Sequence, residues 1–185
     1  RSVLVGEDLA LTLDSVFRAV QILQTAGAQL SIDADRGGVP VPLRPSLLDQ
    51  PQRGKTRSAF LGETIGSLAL RGEAIWRHTL DTAGAVIDLT IMPMSRVAIG
   101  TDSAGGPVYF LDGKEVPAAE LSHLQLLRRP GSVHGLGPIQ ACSGIVTGAV
   151  DLREWASAWL DDSRIPSGTL TAPNMLTKAE ADQYK

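Results

Sequence analysis

The residues whose types could do chemistry are concentrated in one segment, LRRPGSVHGLGPIQACSGI, at positions 127–145. It contains a basic pair, four glycines, two prolines and a histidine, and a helix-forming run follows it. Three interpretations are open. The glycines and the helix N-terminus would suit a phosphate group, His134 would suit a general base, and the whole segment would also serve as a turn between a strand and a long helix.

The glycine spacing argues against a nucleotide-binding loop. Gly135 and Gly137 begin a dinucleotide fingerprint, but Gln140 stands where the third glycine belongs, and no strand with an acidic end follows the helix. The complete P-loop pattern is absent as well. Pro138 also removes one donor from the helix N-terminus. The sequence therefore favours a turn whose glycines allow positive φ and a close backbone approach.

The histidines do not form a recognisable catalytic or metal site. His78, His123 and His134 match no zinc-ligand spacing, and the chain has one cysteine, Cys142, which is expected to be a small apolar helix residue. His78 and His123 fall in strand-like runs. Ser132 and Ser143 are near His134 only along the sequence. We therefore predict no catalytic, cofactor-binding or metal-binding residue, and no cofactor.

Composition limits the possible classes of protein. The chain has 185 residues, of which 43% are hydrophobic and 20% charged, and its net charge is −3. These values are typical of one globular domain, and the charge excludes a tight grip on nucleic-acid phosphates. No apolar run is long enough to span a membrane. The ends at Arg1 and Lys185, the latter inside an apparent helix, suggest a fragment of a longer chain.

The order of elements predicts an α+β fold, with an antiparallel meandering sheet flanked by helices and a long helix at the end. Apolar spacing predicts one helix over 9–27, with Thr12 as a possible cap, and a strand over 29–35. RGG at 36–38 is a turn signal, the prolines of VPVPLRP predict an edge strand or linker, and a short helix ends near Pro51. The remaining predictions are a helix over 57–71 ended by Gly72, a hairpin of strands over 73–81 and 85–94, three more short strands, and a helix over 138–164.

The last residues predict a further element. A short strand is expected over 169–172, and Thr177 with Glu180 forms a capping box at the start of another helix. We therefore divide the chain into a domain over 1–172 and the start of a further helical segment over 173–185.

The helix after Pro138 is apolar around most of its circumference, so it must be buried on several sides. A domain of this size would not supply all of those sides. We predict a subunit interface at Leu152, Trp155, Trp159 and Leu160, because tryptophan is enriched at interfaces. Asp161 and Asp162 could form a metal site or a subunit contact, but a solvated face is the more ordinary interpretation.

The whole pattern resembles the N-terminal part of the portal proteins of tailed double-stranded-DNA phages. The segment from 42 to 97 is most similar, and the segments at 121–146 and 167–185 follow in the family's order. Glu73 stands where the family often has asparagine, and Trp76 follows one step after the usual aromatic position. The matching positions are Leu48, Pro51, Phe60, Gly72, Ala74, Gly84, Leu89, Pro93, Val97, His123, Gly135, Gly137, Pro138 and Ile139.

The resemblance implies a structural subunit of a portal ring, typically of twelve copies, at one vertex of the phage head. Double-stranded DNA would pass through it without sequence-specific binding. The implied partners are the major capsid protein, terminase and head-tail connector proteins, with no membrane. The implied location is the virion, and the host cytoplasm during assembly. The family has no catalytic residues, and this chain would form mainly the outer wing domain, without stem, clip or crown.

Two other functions remain open on the sequence. One is a small hydrolase that uses His134 or His123 with an acidic partner. The other is a monomeric binding adaptor. The size of the particle in solution and substitution of His134 would separate these hypotheses.

Overall fold

The structure is a computed structural model that describes residues 6–161 and Lys178. Contacts divide the chain into two compact units, Arg1–Gly148 and Ala149–Lys185. The described elements are α1 (Glu7–Leu11), α2 (Asp14–Ala28), β1 (Asp35–Arg36), β2 (Val39–Pro40), α3 (Ser46–Asp49), α4 (Arg57–Arg71), β3 (Glu73–Leu80), β4 (Val86–Met92), β5 (Val97–Thr101), β6 (Pro107–Leu111), β7 (Lys114–Val116), β8 (Leu121–Gln125), α5 (Pro138–Ala141) and α6 (Ser143–Asp161). Helices and antiparallel strands together confirm the predicted α+β class.

The predicted helix over 9–27 is two helices, α1 and α2. Leu13 between them is extended, with φ −87° and ψ 120°, and it precedes α2 as the N-cap. The Thr12 hydroxyl donates to the Leu9 carbonyl at 2.7 Å, so it bonds back to α1. The prediction of Thr12 as the cap of one continuous helix was therefore wrong.

The predicted strand over 29–35 is also wrong. Only Asp35 and Arg36 form a strand, which pairs with Val39 and Pro40 in a two-stranded ribbon. Leu30 is 56% exposed, because no sheet lies beside this segment to cover an apolar face. The RGG turn is confirmed, with φ of 64° at Gly37 and 80° at Gly38. The proline-containing β2 is an edge strand, as Pro40 predicts.

Helix α4 has the predicted bounds, because local signals fix both its ends. The Thr56 side chain accepts a hydrogen bond from the Ala59 amide at 3.2 Å. Gly72 follows the helix in the left-handed conformation, with φ 78°. A Cβ added to Gly27 on α2 would overlap the Ile65 side chain, so α2 and α4 pack closely at this glycine.

The predicted strands divide between two three-stranded antiparallel sheets. The first has the order β4-β3-β8 and the second the order β5-β6-β7. The chain makes the β3–β4 hairpin, completes the second sheet, and then returns so that β8 pairs with β3. A meander of neighbouring strands is therefore present in the second sheet, whereas the first is closed by a long-range pairing.

One core joins the two sheets. Ile75 and Met92 from the first sheet contact Tyr109 from the second, and Ile75 is fully buried. Helix α4 covers the first sheet, where Phe60 lies 5.1 Å from the Trp76 ring and the Trp76 indole donates to the Thr64 hydroxyl at 3.0 Å. This arrangement fixes β3 against both α4 and the second sheet.

The helix after Pro138 is interrupted at Cys142, which has φ −102° and ψ 17°. The result is a short α5 and a long α6 rather than one continuous helix. Ile139 and Val146 bury their side chains with Ala10 of α1 in a second small core. None of the described helices combines the length and hydropathy that a bilayer span requires.

Several predictions fall outside the described residues. They are the end of the long helix at 162–164, the strand over 169–172, the helix that begins at Thr177, and the boundary between 172 and 173. In the second unit, the described part of α6 runs from residue 149 to Asp161.

Candidate functional site

The loop over 127–137, together with Leu126 before it, lies against the end of α4. The Leu126 amide donates to the Gly72 carbonyl at 2.8 Å, and the Leu136 amide donates to the Leu127 carbonyl at 2.8 Å. A Cβ on Gly72 would overlap the Gly137 backbone, and one on Gly135 would overlap the Gly72 carbonyl. The predicted close backbone approach is therefore confirmed, and it occurs between three glycines from two distant segments.

A polar cluster lies beside this glycine contact, with Glu73 at its centre. The Glu73 carboxylate accepts a hydrogen bond from His123 Nε2 at 3.2 Å, from His134 Nδ1 at 3.2 Å and from the Gly135 amide at 3.0 Å. The Tyr109 hydroxyl lies 3.1 Å from His123 Nδ1, to which it donates when Nε2 carries the proton. We call Tyr109, His123, Glu73 and His134 the Glu73 cluster.

The secondary structure brings these residues together over long separations. Glu73 begins β3 directly after Gly72, and the antiparallel pairing of β3 with β8 sets His123 opposite Ile75, close to Glu73. Tyr109 comes from β6 of the second sheet. His134 comes from the loop. The fold therefore gives His134 and His123 the acidic partner that the hydrolase hypothesis required, and the sequence did not identify it.

The environment of Glu73 keeps it ionised. Burial raises the pKa of Glu73, but the hydrogen bonds from His123, from the Gly135 amide and from His134 lower it more, so the pKa lies below its usual value. Only 7% of Glu73 is exposed. A buried carboxylate with three donors is a satisfied structural anion.

Tyr109, His123 and Glu73 are hydrogen-bonded in the order hydroxyl, base and acid, as in a catalytic triad. The environment of Tyr109, however, does not activate its hydroxyl as a nucleophile. Burial raises the pKa of Tyr109, because the loss of solvent disfavours the phenolate more than the positive charge of Arg128 favours it. Tyr109 is also buried in the core between the sheets. The phenol therefore stays protonated and out of reach of a substrate.

The His134 ring bonds to Glu73, and none of the hydroxyl groups in the described part of the chain is hydrogen-bonded to that ring. The Ser132 hydroxyl donates to the backbone carbonyl of His134 and accepts from its amide, both at 3.1 Å. Two clefts of about 530 and 450 Å³ are lined by neither His123, His134 nor Glu73. His78 lies 2.8 Å from the Ser122 hydroxyl, across β3 and β8. The contacts of the cluster hold the loop beside the first sheet.

One further sequence motif is occupied by structural contacts. Gly54, Lys55 and Thr56 are the closing part of a P-loop pattern, but its first glycine would have to stand at Asp49. Lys55 pairs with Glu63, and Thr56 caps α4. Among the described residues, no group of three acidic, histidine or cysteine side chains is placed to hold a metal ion. Asp161 and Asp162, the suggested carboxylate pair, have no described side chains.

The second unit presents an apolar face. The Trp155 and Trp159 rings stack with their centroids 5.7 Å apart and their planes at 27°. The exposed fractions are 61% for Trp155, 40% for Trp159, 64% for Leu152 and 74% for Leu160. We call these four residues the tryptophan face. Exposed apolar surface that is contiguous in this way is typical of an interaction site.

Comparison with known families identifies the class of protein. A family model described as "Phage portal protein" matches residues 14–185, which is nearly the whole chain. The chain therefore belongs to the phage portal protein family, and the resemblance seen in the sequence is confirmed. A comparison with curated proteins finds no match.

Solved structures show the same fold. The chain is similar to a protein from the neck of an empty GTA particle, computed with C6 symmetry, with a TM-score of 0.68 and 20% identity over 95% of this chain and 52% of that one. For an HK97 family phage portal protein from Corynebacterium diphtheriae, the TM-score is 0.63 and the identity 21%, over 95% of this chain and 56% of that one. For a protein from the neck of a native GTA particle computed with C12 symmetry, the TM-score is 0.65 and the identity 20%, over 95% of this chain and 51% of that one. The chain thus spans about half the length of these proteins.

The sequence analysis missed the role of Glu73. It noted the residue only as a departure from the family's asparagine. One local signal was available: an acidic residue between a helix-ending glycine and the apolar run Ala74–Ile75 begins a buried strand, and a buried carboxylate requires donors. Which donors it would meet depends on the pairing of β3 with β8, and no local pattern gives that.

Proposed function

We propose that this chain is a structural subunit of a phage or prophage portal ring at the head vertex, and that it acts without catalysis. The observation that carries the proposal is the family match over residues 14–185. The fold is consistent with it, since the similar structures include a portal protein and necks of particles computed with C6 and C12 symmetry. Because the chain spans about half the length of those proteins, the proposal concerns only the part of a portal subunit that corresponds to this chain.

We infer further that the ring has about twelve copies, that double-stranded DNA passes through its centre, and that it meets capsid protein, terminase and connector proteins. The net charge of −3 supports the passage of DNA without tight binding, because tight binding needs an excess of Lys and Arg facing the phosphates. The location would be the virion, and the host cytoplasm during assembly.

The tryptophan face is the part of the described chain that we assign to the contact between subunits. A ring forms from head-to-tail contacts, so each subunit must expose a surface that a neighbour covers. Stacked tryptophans flanked by leucines bury a large apolar area and are typical centres of binding energy at interfaces. The exposure of all four side chains in the single chain supports this assignment.

The test is assembly of the 185-residue chain and of a Trp155→Ser/Trp159→Ser double variant, followed by mass photometry and negative-stain electron microscopy over a range of concentrations. We expect the unsubstituted chain to form higher oligomers, including closed rings, and the double variant to stay mostly monomeric. Leu43→Ser is the matched control, because Leu43 is a large apolar residue that is 86% exposed and lies in a loop of the first unit.

Three outcomes would count against the proposal. Equal assembly of the chain and the double variant would remove the tryptophan face from the interface. A chain that stays monomeric at every concentration, and that hydrolyses a generic ester with loss of activity in His134→Ala, would favour the hydrolase hypothesis. A monomer without such activity would favour the adaptor.

A further inference from the structure

The loop over 127–137 is held at few points. Its own backbone supplies two hydrogen bonds, from the Leu136 amide to the Leu127 carbonyl and from the Ser132 amide to the Arg129 carbonyl, and a bridge between Arg128 and Gly135. The Gln125 side chain donates to the Val133 carbonyl at 2.7 Å at its base. Most of its residues are exposed or half-buried. A loop with so little buried apolar surface depends on polar contacts for its position.

Glu73 provides three further contacts between this loop, β8 and the start of β3. Oε1 accepts from His134 and Oε2 accepts from the Gly135 amide, so both oxygens hold consecutive residues of the loop. Oε2 also accepts from His123 on β8. Hydrogen bonds to a charged group are stronger than those between neutral groups. The Glu73 carboxylate therefore joins the loop to the first sheet, in addition to the hydrogen bond from Gln125 to Val133.

The groups around the carboxylate are all neutral or positive. His123 faces it from β8, Tyr109 stands behind His123 on β6, and His134 faces it from the loop, with Arg128 close enough to act on Tyr109. If Glu73 takes up a proton in acid, the loop and the sheet lose the anion that accepts hydrogen bonds from both of them.

We propose that Glu73 is an ionic clasp, which holds the 127–137 loop on the sheet while its carboxylate is charged and releases the loop in acid. The clasp is a property of the single chain and is independent of ring assembly. We expect the released state to be local, because Glu73 is not among the residues that pack the core between the sheets. Opening would free the Gly72–Gly135–Gly137 contact that precedes α5.

The direction of the pKa places the opening in acid. Burial raises the pKa of Glu73, the hydrogen bonds from His123, Gly135 and His134 lower it, and the net value lies below the ordinary 4.5. The carboxylate is therefore charged at neutral pH, and the clasp stays closed until the pH falls below that ordinary value. Opening of the loop in acid is therefore coupled to the uptake of up to one proton by Glu73.

Amide hydrogen exchange of the 185-residue chain tests the clasp, with Gly135 and Leu136 as reporters. Glu73→Gln keeps the size of the side chain and removes its charge, so we expect these two amides to exchange roughly 10- to 100-fold faster at neutral pH. Amides in the β3–β4 hairpin should keep their protection. In the unsubstituted chain, after correction for intrinsic exchange, the same local acceleration should begin below pH 4.5.

The matched control is Glu63→Gln, an acidic residue on α4 that is paired with Lys55 at the surface, and it should leave Gly135 and Leu136 unchanged. If Glu73→Gln unfolds the chain, His134→Ala decides the question, because His134 is half exposed and its removal takes away one donor only. Faster exchange confined to the loop supports the clasp. Unchanged exchange in His134→Ala, or unchanged protection in a folded Glu73→Gln, overturns it.

Discussion

The Glu73 cluster and the tryptophan face differ in how many of their side-chain groups find contacts within the single chain. In the cluster, a carboxylate that is 7% exposed accepts three hydrogen bonds from two elements of the first unit. In the tryptophan face, four large apolar side chains are 40–74% exposed in the single chain. The first region is satisfied internally, whereas the second leaves surface that a partner could cover.

The two regions should therefore respond in opposite ways to substitution. Removal of a buried polar partner leaves other groups unsatisfied, so changes in the cluster should lower the stability of the chain itself. Removal of exposed apolar area costs the single chain little, so changes in the tryptophan face should act on assembly. The following predictions test that contrast.

The largest expected effect is at Gly72, next to the cluster. Gly72→Ala should reduce the free energy of unfolding by about 3 kcal/mol, since the residue must keep a left-handed φ of 78° and the new Cβ would overlap the Gly137 backbone. Urea denaturation followed by circular dichroism measures the change.

Gly84→Ala separates the two causes. Gly84 also has a positive φ, 81°, but nothing lies within 4 Å of an added Cβ. Its cost should be about 1 kcal/mol, the backbone part alone. Equal costs at Gly72 and Gly84 would show that the contact between glycines does not constrain the loop.

A smaller effect, with a defined pH dependence, is expected at Glu73. Glu73→Gln should cost about 2 kcal/mol of unfolding free energy at neutral pH, because hydrogen bonds to a charged group are lost. The pKa of Glu73 is lowered on folding, so the contribution of its charge is fully present above the ordinary pKa of 4.5 and is lost as the pH falls through the lower folded value. The difference between the variant and the unsubstituted chain should therefore shrink in acid.

Denaturation at several pH values between neutral and strongly acidic measures this difference. A cost that stays constant across the range would mean that the shape of Glu73, rather than its charge, supports the fold. Glu63→Gln on α4 serves as the control for a surface carboxylate and should show a small effect throughout.

The elements that sequence could predict are those fixed by neighbouring residues. Helix α4 has the predicted bounds because Thr56 caps one end and Gly72 ends the other. The breaks at Thr12 and Cys142 were not predicted, since the apolar spacing continues across both. Apolar alternation at Leu30 and Ile32 predicted a strand, but strand formation also needs a neighbouring edge, which the fold does not supply there.

In the candidate site as well, contacts between residues far apart in the sequence could not be predicted from local patterns. The glycines of the loop predicted a close backbone approach, and the structure confirms it, but the sequence did not say that Gly72 would be the partner. His123 and His134 lie 50 and 61 positions from Glu73, and they meet it only because β8 returns to pair with β3. Residue types predicted the chemistry of the loop, whereas the long-range pairing of β8 with β3 determines which side chains contact each other in the cluster.

The smallest expected effect is on the stability of the single chain when Trp155 is changed. Trp155→Ser should cost about 1 kcal/mol, since the side chain is 61% exposed and loses mainly its stacking contact with Trp159. Ile75→Ala, at a fully buried position, should cost about 3 kcal/mol in the same denaturation assay. If Trp155→Ser were as costly as Ile75→Ala, the tryptophan face would be covered within its own chain, and the contrast between the two regions would fail. A small cost joined to a loss of oligomers would instead locate the contribution of Trp155 between subunits.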